Sequence, residues 1–118
     1  MKDNGFSLIE LITVMAIIAI LTAVAIPQYS DYKRRAFDSR AVTDLRNVAT
    51  SEEMYFLDNE EYLSCQNQSC AELPGIGAIS DGVTLQITAS ESSFLGAASH
   101  PRGAKHFLWD SEKGGLQD

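Results

Sequence analysis

Hydrophobic and polar positions change texture twice along the chain. From Phe6 to Ile26, FSLIELITVMAIIAILTAVAI, the residues are apolar almost without a break, and the run holds a single charge, Glu10. As a helix these 21 residues extend about 31 Å, the thickness of a bilayer's hydrocarbon core. Pro27 follows; it lacks a backbone donor and crowds the preceding turn, so a helix passing through it is expected to bend or loosen there. Beyond it the apolar residues become periodic. Phe37, Ala41, Leu45, Val48 and Tyr55 recur at spacings of three, four and seven, which predicts one apolar stripe on a helix. The charged residues Arg34, Asp38, Arg46 and Glu53 fall largely off that stripe. The pattern therefore predicts one long curved helix from about Phe6 to about Asp58, hydrophobic in its first half and kinked near Pro27.

After Tyr62 the segments become short and rich in turn residues. Val83–Ala89 alternates apolar and polar side chains, the mark of a half-buried strand. Ser93–Ser99 reads as a second strand. Pro101-Arg102-Gly103-Ala104 supplies turn chemistry, and Lys105–Asp110 reads as a third strand. Asp110 to Gly115 reads as a polar turn and tail. The fold class expected is α+β, with the long N-terminal helix burying its stripe against a small antiparallel sheet of three or four strands. The divisions expected are residues 1–5, then the helix over 6–58 with 6–26 as its apolar part, then a small globular part over 59–118.

With 118 residues there is room for one core, not two. Charge is divided along the chain. Residues 28–49 carry Lys33, Arg34, Arg35, Arg40 and Arg46 against Asp31, Asp38 and Asp44, a net of +2. Residues 50–118 carry three basic and eleven acidic side chains, a net of −8. Such a surface repels phosphates, so no nucleic-acid partner is expected. The same split lets copies of the chain attract one another head to flank. Cys65 and Cys70 are expected to pair if the region is exported, and closing so short a loop stabilises by about 2 kcal/mol. A zinc site built from Cys65, Cys70, His100 and His106 fits no usual finger spacing, and the Asp110–Gly115 segment offers too few ligands for calcium. No metal or cofactor is expected. His100, His106, Asp110 and the serines match no triad context, and there is no glycine-rich phosphate loop, so an enzyme is not expected.

The apolar run admits three readings. It is a plain signal anchor, or a signal peptide removed after Ala25, where Ala23-Val24-Ala25 has the small-x-small form, or a segment with a further purpose. Glu10 bears on the choice, because a carboxylate at the centre of a spanning helix costs about 2.5–3.5 kcal/mol. Near the end of the span it escapes part of that cost by snorkelling, by staying protonated, or by meeting a cation. Cleavage between Gly5 and Phe6 would create such a cation, an α-amino group four residues before Glu10. Between two parallel, staggered helices the amine of one copy can meet the carboxylate of the next, neutralising both in an apolar core and fixing the stagger.

Gly5-Phe6-Ser7-Leu8-Ile9-Glu10, the apolar run after it, and Ala25-Ile26-Pro27 resemble the N-terminus of a type IV prepilin. The resemblance is detailed over residues 5 to 35 and extends in character along the helix. It implies cleavage after Gly5 by a prepilin peptidase, N-methylation of Phe6, and assembly through Phe6 and Glu10 into a helical homopolymer. It further implies an inner-membrane assembly platform with a cytoplasmic ATPase. The chain would wait in the inner membrane and end in an extracellular filament serving adhesion, motility or surface contact. A pseudopilin of a type II secretion system shares the same N-terminus and is the alternative within the family. A membrane-anchored binding domain that never assembles is the alternative outside it. Lys33, Arg34 and Arg35 lie beyond the span, so the positive-inside rule alone places the distal part in the cytoplasm, whereas the resemblance places it outside. The aromatics Tyr29, Tyr32, Phe37, Tyr55, Phe56 and Tyr62 are expected to pack the helix. A path for electrons, suggested for similar short pilins, finds no continuous spacing here.

Overall fold

The structure, a computed structural model, describes residues 5–117. Residues 1–4 of the expected leader, with Lys2 and Asp3, and the terminal Asp118 lie outside the described residues. A single helix, α1, runs Leu8–Asn59 and continues through Pro27. By packing, the described residues form two compact units, divided between Lys33 and Arg34.

The first unit is helix whose described side chains are all exposed. Its hydroxyls are satisfied within the helix: Thr13 Oγ1 donates to the Ile9 carbonyl and Thr22 Oγ1 to the Ile18 carbonyl, each at 2.7 Å. Such back-bonding removes the polar groups that would otherwise oppose an apolar environment. Pro27 has no N–H to give to the carbonyl one turn earlier, that of Ala23.

In the second unit, residues 34–59 of α1 meet a sheet of five strands: β1 Cys65–Gln66, β2 Thr84–Ala89, β3 Phe94–Ser99, β4 His106–Asp110 and β5 Gly115–Gln117. They lie in chain order, every pair antiparallel. Period-two alternation sets Leu85, Ile87, Phe94 and Ala98 inward. They close over Ala41, Leu45 and Val48, each 0% exposed. Gly96 is what lets β3 come close: a Cβ there would sit 2.8 Å from Leu45 Cδ1 and 3.0 Å from Ile87 Cδ1.

The sheet exceeds the three or four strands expected because β1 and β5 have two and three residues, too few to show an alternation. The stripe also differs from expectation. Asp38, placed off it by sequence, is buried, as are Asp44, Ser51 and Glu52. Each of these polar side chains holds a segment crossing the helix. Asp38 Oδ1 accepts from the Ala104 and Lys105 amides at 2.9 and 3.0 Å. Asp44 accepts from the Ser80 amide and hydroxyl at 2.9 and 3.1 Å. Ser51 donates to the Pro74 carbonyl at 2.7 Å, and Glu52 Oε2 accepts from the Leu63 amide at 2.8 Å. Loop amides that would be orphaned against the helix thus find acceptors.

Candidate assembly site

The first helical turn follows directly from Gly5-Phe6-Ser7. The Ser7 carbonyl accepts the Leu11 amide at 3.2 Å, so the helix opens at this residue. Ser7 Oγ accepts the Glu10 amide at 3.3 Å, and Glu10 Oε2 accepts the Ser7 amide at 3.3 Å. This reciprocal pair is a capping box, which satisfies two amides that have no partner inside the helix. The positive end of the helix dipole favours the carboxylate there. Both contacts exceed the usual amide–oxygen distance of about 2.9–3.0 Å, so Glu10 is held loosely. It is exposed, and a cation approaching from outside can reach it. The role of Ser7 was not anticipated from the sequence, although the signal was present: Ser-x-x-Glu immediately before an apolar run is a helix-start signature.

Around this carboxylate the helix is apolar on every side. Phe6 is 87% exposed, and the large side chains from Leu8 to Ile26 are also exposed. An apolar surface that encircles a helix belongs in a bilayer or a protein core, and this helix is long and apolar enough to cross a membrane. A lone carboxylate at the head of such a surface can guide packing by the single counter-charge it requires.

The other predicted positions lie in the second unit. Cys65 and Cys70 form a disulfide, with Cα atoms 5.0 Å apart, tying β1 to the short 3₁₀ segment Asn67–Glu72. Their sulfurs are therefore closed to metal. His100 stacks on Phe37 at 4.3 Å, and its Nδ1 accepts the Arg102 amide at 3.0 Å. Tyr62 lies between Phe56 and Phe94, at centroid distances of 4.6 and 4.9 Å, and donates to Glu53 at 3.1 Å. These aromatics pack the helix against its sheet. Tyr29 and Tyr32 are exposed. Among the described residues no cluster of His, Cys, Asp or Glu is arranged to hold a metal ion.

Glu52 is entirely buried. Its Oε1 has no hydrogen-bond partner among the described residues. Burial raises the carboxyl's pKa, the Leu63 amide partly opposes that, and the charge of Glu53 adds to the rise. This burial was not legible in the sequence, where two adjacent glutamates look like solvated surface.

Residues 1–26 match the prokaryotic N-terminal methylation motif. The type IV wide pilus major component PilA4 of Thermus thermophilus is 39% identical over 112 residues, covering 94% of this chain and 84% of that protein. The type IV major fimbrial protein FimA of Dichelobacter nodosus is 33% identical, covering 91% of this chain and 81% of that protein. A fimbrial protein of Pseudomonas aeruginosa is 48% identical over 62 residues, covering 52% of this chain and 40% of that protein. The apolar helix opening on a methylation motif, the α+β unit behind it and relatives aligned over nearly the whole length agree: the chain belongs to the type IV pilins, the structural subunits of type IV pili.

Proposed function

We propose that this pilin is made with the leader of residues 1–5, cut between Gly5 and Phe6 by a prepilin peptidase, and methylated on the new amine of Phe6. Before assembly, residues 6–26 span the inner membrane. The apolar helix then leaves lipid for the core of the fibre, delivered by an inner-membrane platform with its ATPase. The role is structural and not catalytic. The globular unit sits on the outer side, where the Cys65–Cys70 disulfide persists. The observation supporting this reading is the exposed Glu10 carboxylate, loosely held by the Ser7 amide at 3.3 Å and surrounded by apolar side chains.

In this mechanism the capping box serves the waiting subunit. It gives Glu10 and Ser7 partners within one chain while the helix stands alone in lipid. On assembly the Phe6 amine of an adjacent copy replaces the weak amide contact with a charge-assisted one. Both charges are neutralised where water is excluded, which fixes the axial stagger between helices. Pro27 loosens one turn of the helix and lets the apolar part bend as neighbours pack.

Glu10→Ala tests this directly. Membrane insertion is expected to persist, since the substitution removes a charge from the span, while surface fibre falls at least about tenfold, as the loss of a charge-assisted contact repeated along the fibre implies. Normal fibre yield from that variant would falsify the proposed role of Glu10.

A further inference from the structure

The second unit carries opposite charge at its two ends. At one end Asp38 binds the Ala104 and Lys105 amides, which draws the β3–β4 turn onto the helix. The guanidinium carbons of Arg40 and Arg102 lie 5.3 and 5.7 Å from the centre of the Phe37 ring. Arg40, Arg102 and Lys105 therefore share one end, all exposed, and Asp38 is buried beneath them. Eighteen residues further along α1, about 27 Å at the helical rise, the other end holds Asp58, Glu60 and Glu61, also exposed. Register places the β2–β3 turn there as well, because Ala89 pairs with Phe94 and Phe94 packs on Tyr62; this adds Glu91. Asp81 at the first end and Lys113 at the second are minority charges.

The acidic end also exposes apolar side chains. Leu57 is 81% exposed and Met54 48% exposed, three residues apart on the same side of α1 and flanked by the carboxylates. A bare leucine beside several like charges makes sense where an oppositely charged surface covers it, excluding water from the leucine and pairing the charges.

We infer that this face docks the basic end of a second copy of the chain. Arg40, Arg102 and Lys105 of one pilin meet Asp58, Glu60 and Glu61 of another, over Met54 and Leu57; the offset of about 27 Å along the helix makes this a different copy from the one that meets Glu10. The two surfaces differ, so the contact is head to tail, the kind that a filament repeats. It is a contact between globular units, separate from the one at Glu10, and it rests on the assignment of the chain as a fibre subunit. Its charges are at the surface, where the screening length is about 8 Å at physiological salt. It therefore favours the right neighbour and weakens as salt rises.

The test is charge reversal in the full chain, produced in cells that assemble it. Arg102→Glu with Lys105→Glu reverses one end, and Glu60→Lys with Glu61→Lys reverses the other. Each pair is expected to lower sheared fibre yield about tenfold, because like charges then face each other, with the membrane pool and the Cys65–Cys70 disulfide unchanged. Combining all four is expected to restore yield to within about threefold of the unaltered chain, since the pairing is re-formed with its signs exchanged. Leu57→Ser, at a side chain 81% exposed in its own subunit, is expected to lower fibre yield without changing the pool, and it provides the readout if either reversed pair is degraded. Unaltered yield from both reversed pairs, a fourfold variant no better than the worse pair, or unaltered yield from Leu57→Ser overturns the contact and leaves the fibre-subunit assignment standing. Failure of the unaltered chain to form fibre removes that assignment, and the contact with it.

Discussion

Glu10 and Glu52 are both carboxylates that an apolar setting should exclude, and the chain treats them differently. Glu10 is exposed and loosely capped by Ser7, so its contact can be exchanged. Ser7→Ala is expected to leave it in place but remove the acceptor of its amide, costing about 0.5–2 kcal/mol of helix start; fibre yield should fall less than with Glu10→Ala. An equal or larger fall would make the cap, not the charge, the dominant factor. Glu52 is sealed in the core with one oxygen unpartnered and a pKa raised mainly by burial. The folded state therefore holds its proton more tightly than the unfolded chain, whose value is about 4.3. The stability this confers is full below that value and is lost as pH rises through the raised folded value. Urea midpoints measured across that window are expected to slope downward for the unaltered chain and to flatten for Glu52→Gln; the same slope in both would place the effect elsewhere. The sequence made Glu10 conspicuous because it stands alone in an apolar run. Glu52 has Glu53 beside it, and which of the two turns inward depends on where Leu63 brings its amide.

At the scale of elements, periodicity carried most of the fold. A period near 3.6 located the helix, and the core residues Ala41, Leu45 and Val48 fall on the predicted stripe. A period of two located β2, and β3 and β4 lie within a residue of their expected limits. The edge strands β1 and β5 were not legible because they are defined by pairing with β2 and β4, not by side-chain pattern. The inward turn of Asp38 and Asp44 was hidden for the same kind of reason: their acceptors serve amides 66 and 36 residues away in sequence. The helix and β3 approach closely at Gly96. Gly96→Ala is expected to destabilise the unit by about 1–3 kcal/mol through overpacking against Leu45 and Ile87, read as a lower thermal midpoint. An unchanged midpoint would mean that the Leu45 side chain moves aside freely.

At the scale of the whole molecule, the charge division noted in the sequence becomes an arrangement in the globular unit, with basic residues gathered by the Asp38 anchor and acidic ones at the helix end. The sequence showed the split but not that Arg102 and Lys105 return to the basic end, since that depends on the β3–β4 turn docking on the helix. In the assembly proposed above there are two separable contacts, one in the apolar core at Phe6 and Glu10 and one between globular units. The first of these requires the α-amine of Phe6 to be the chain's N-terminus. Intact mass and N-terminal analysis of the chain in sheared fibres tests this most directly. A mature chain beginning at methylated Phe6 is expected. A chain beginning at Met1, with its leader retained, or at Ile26, with its apolar helix removed, would contradict it.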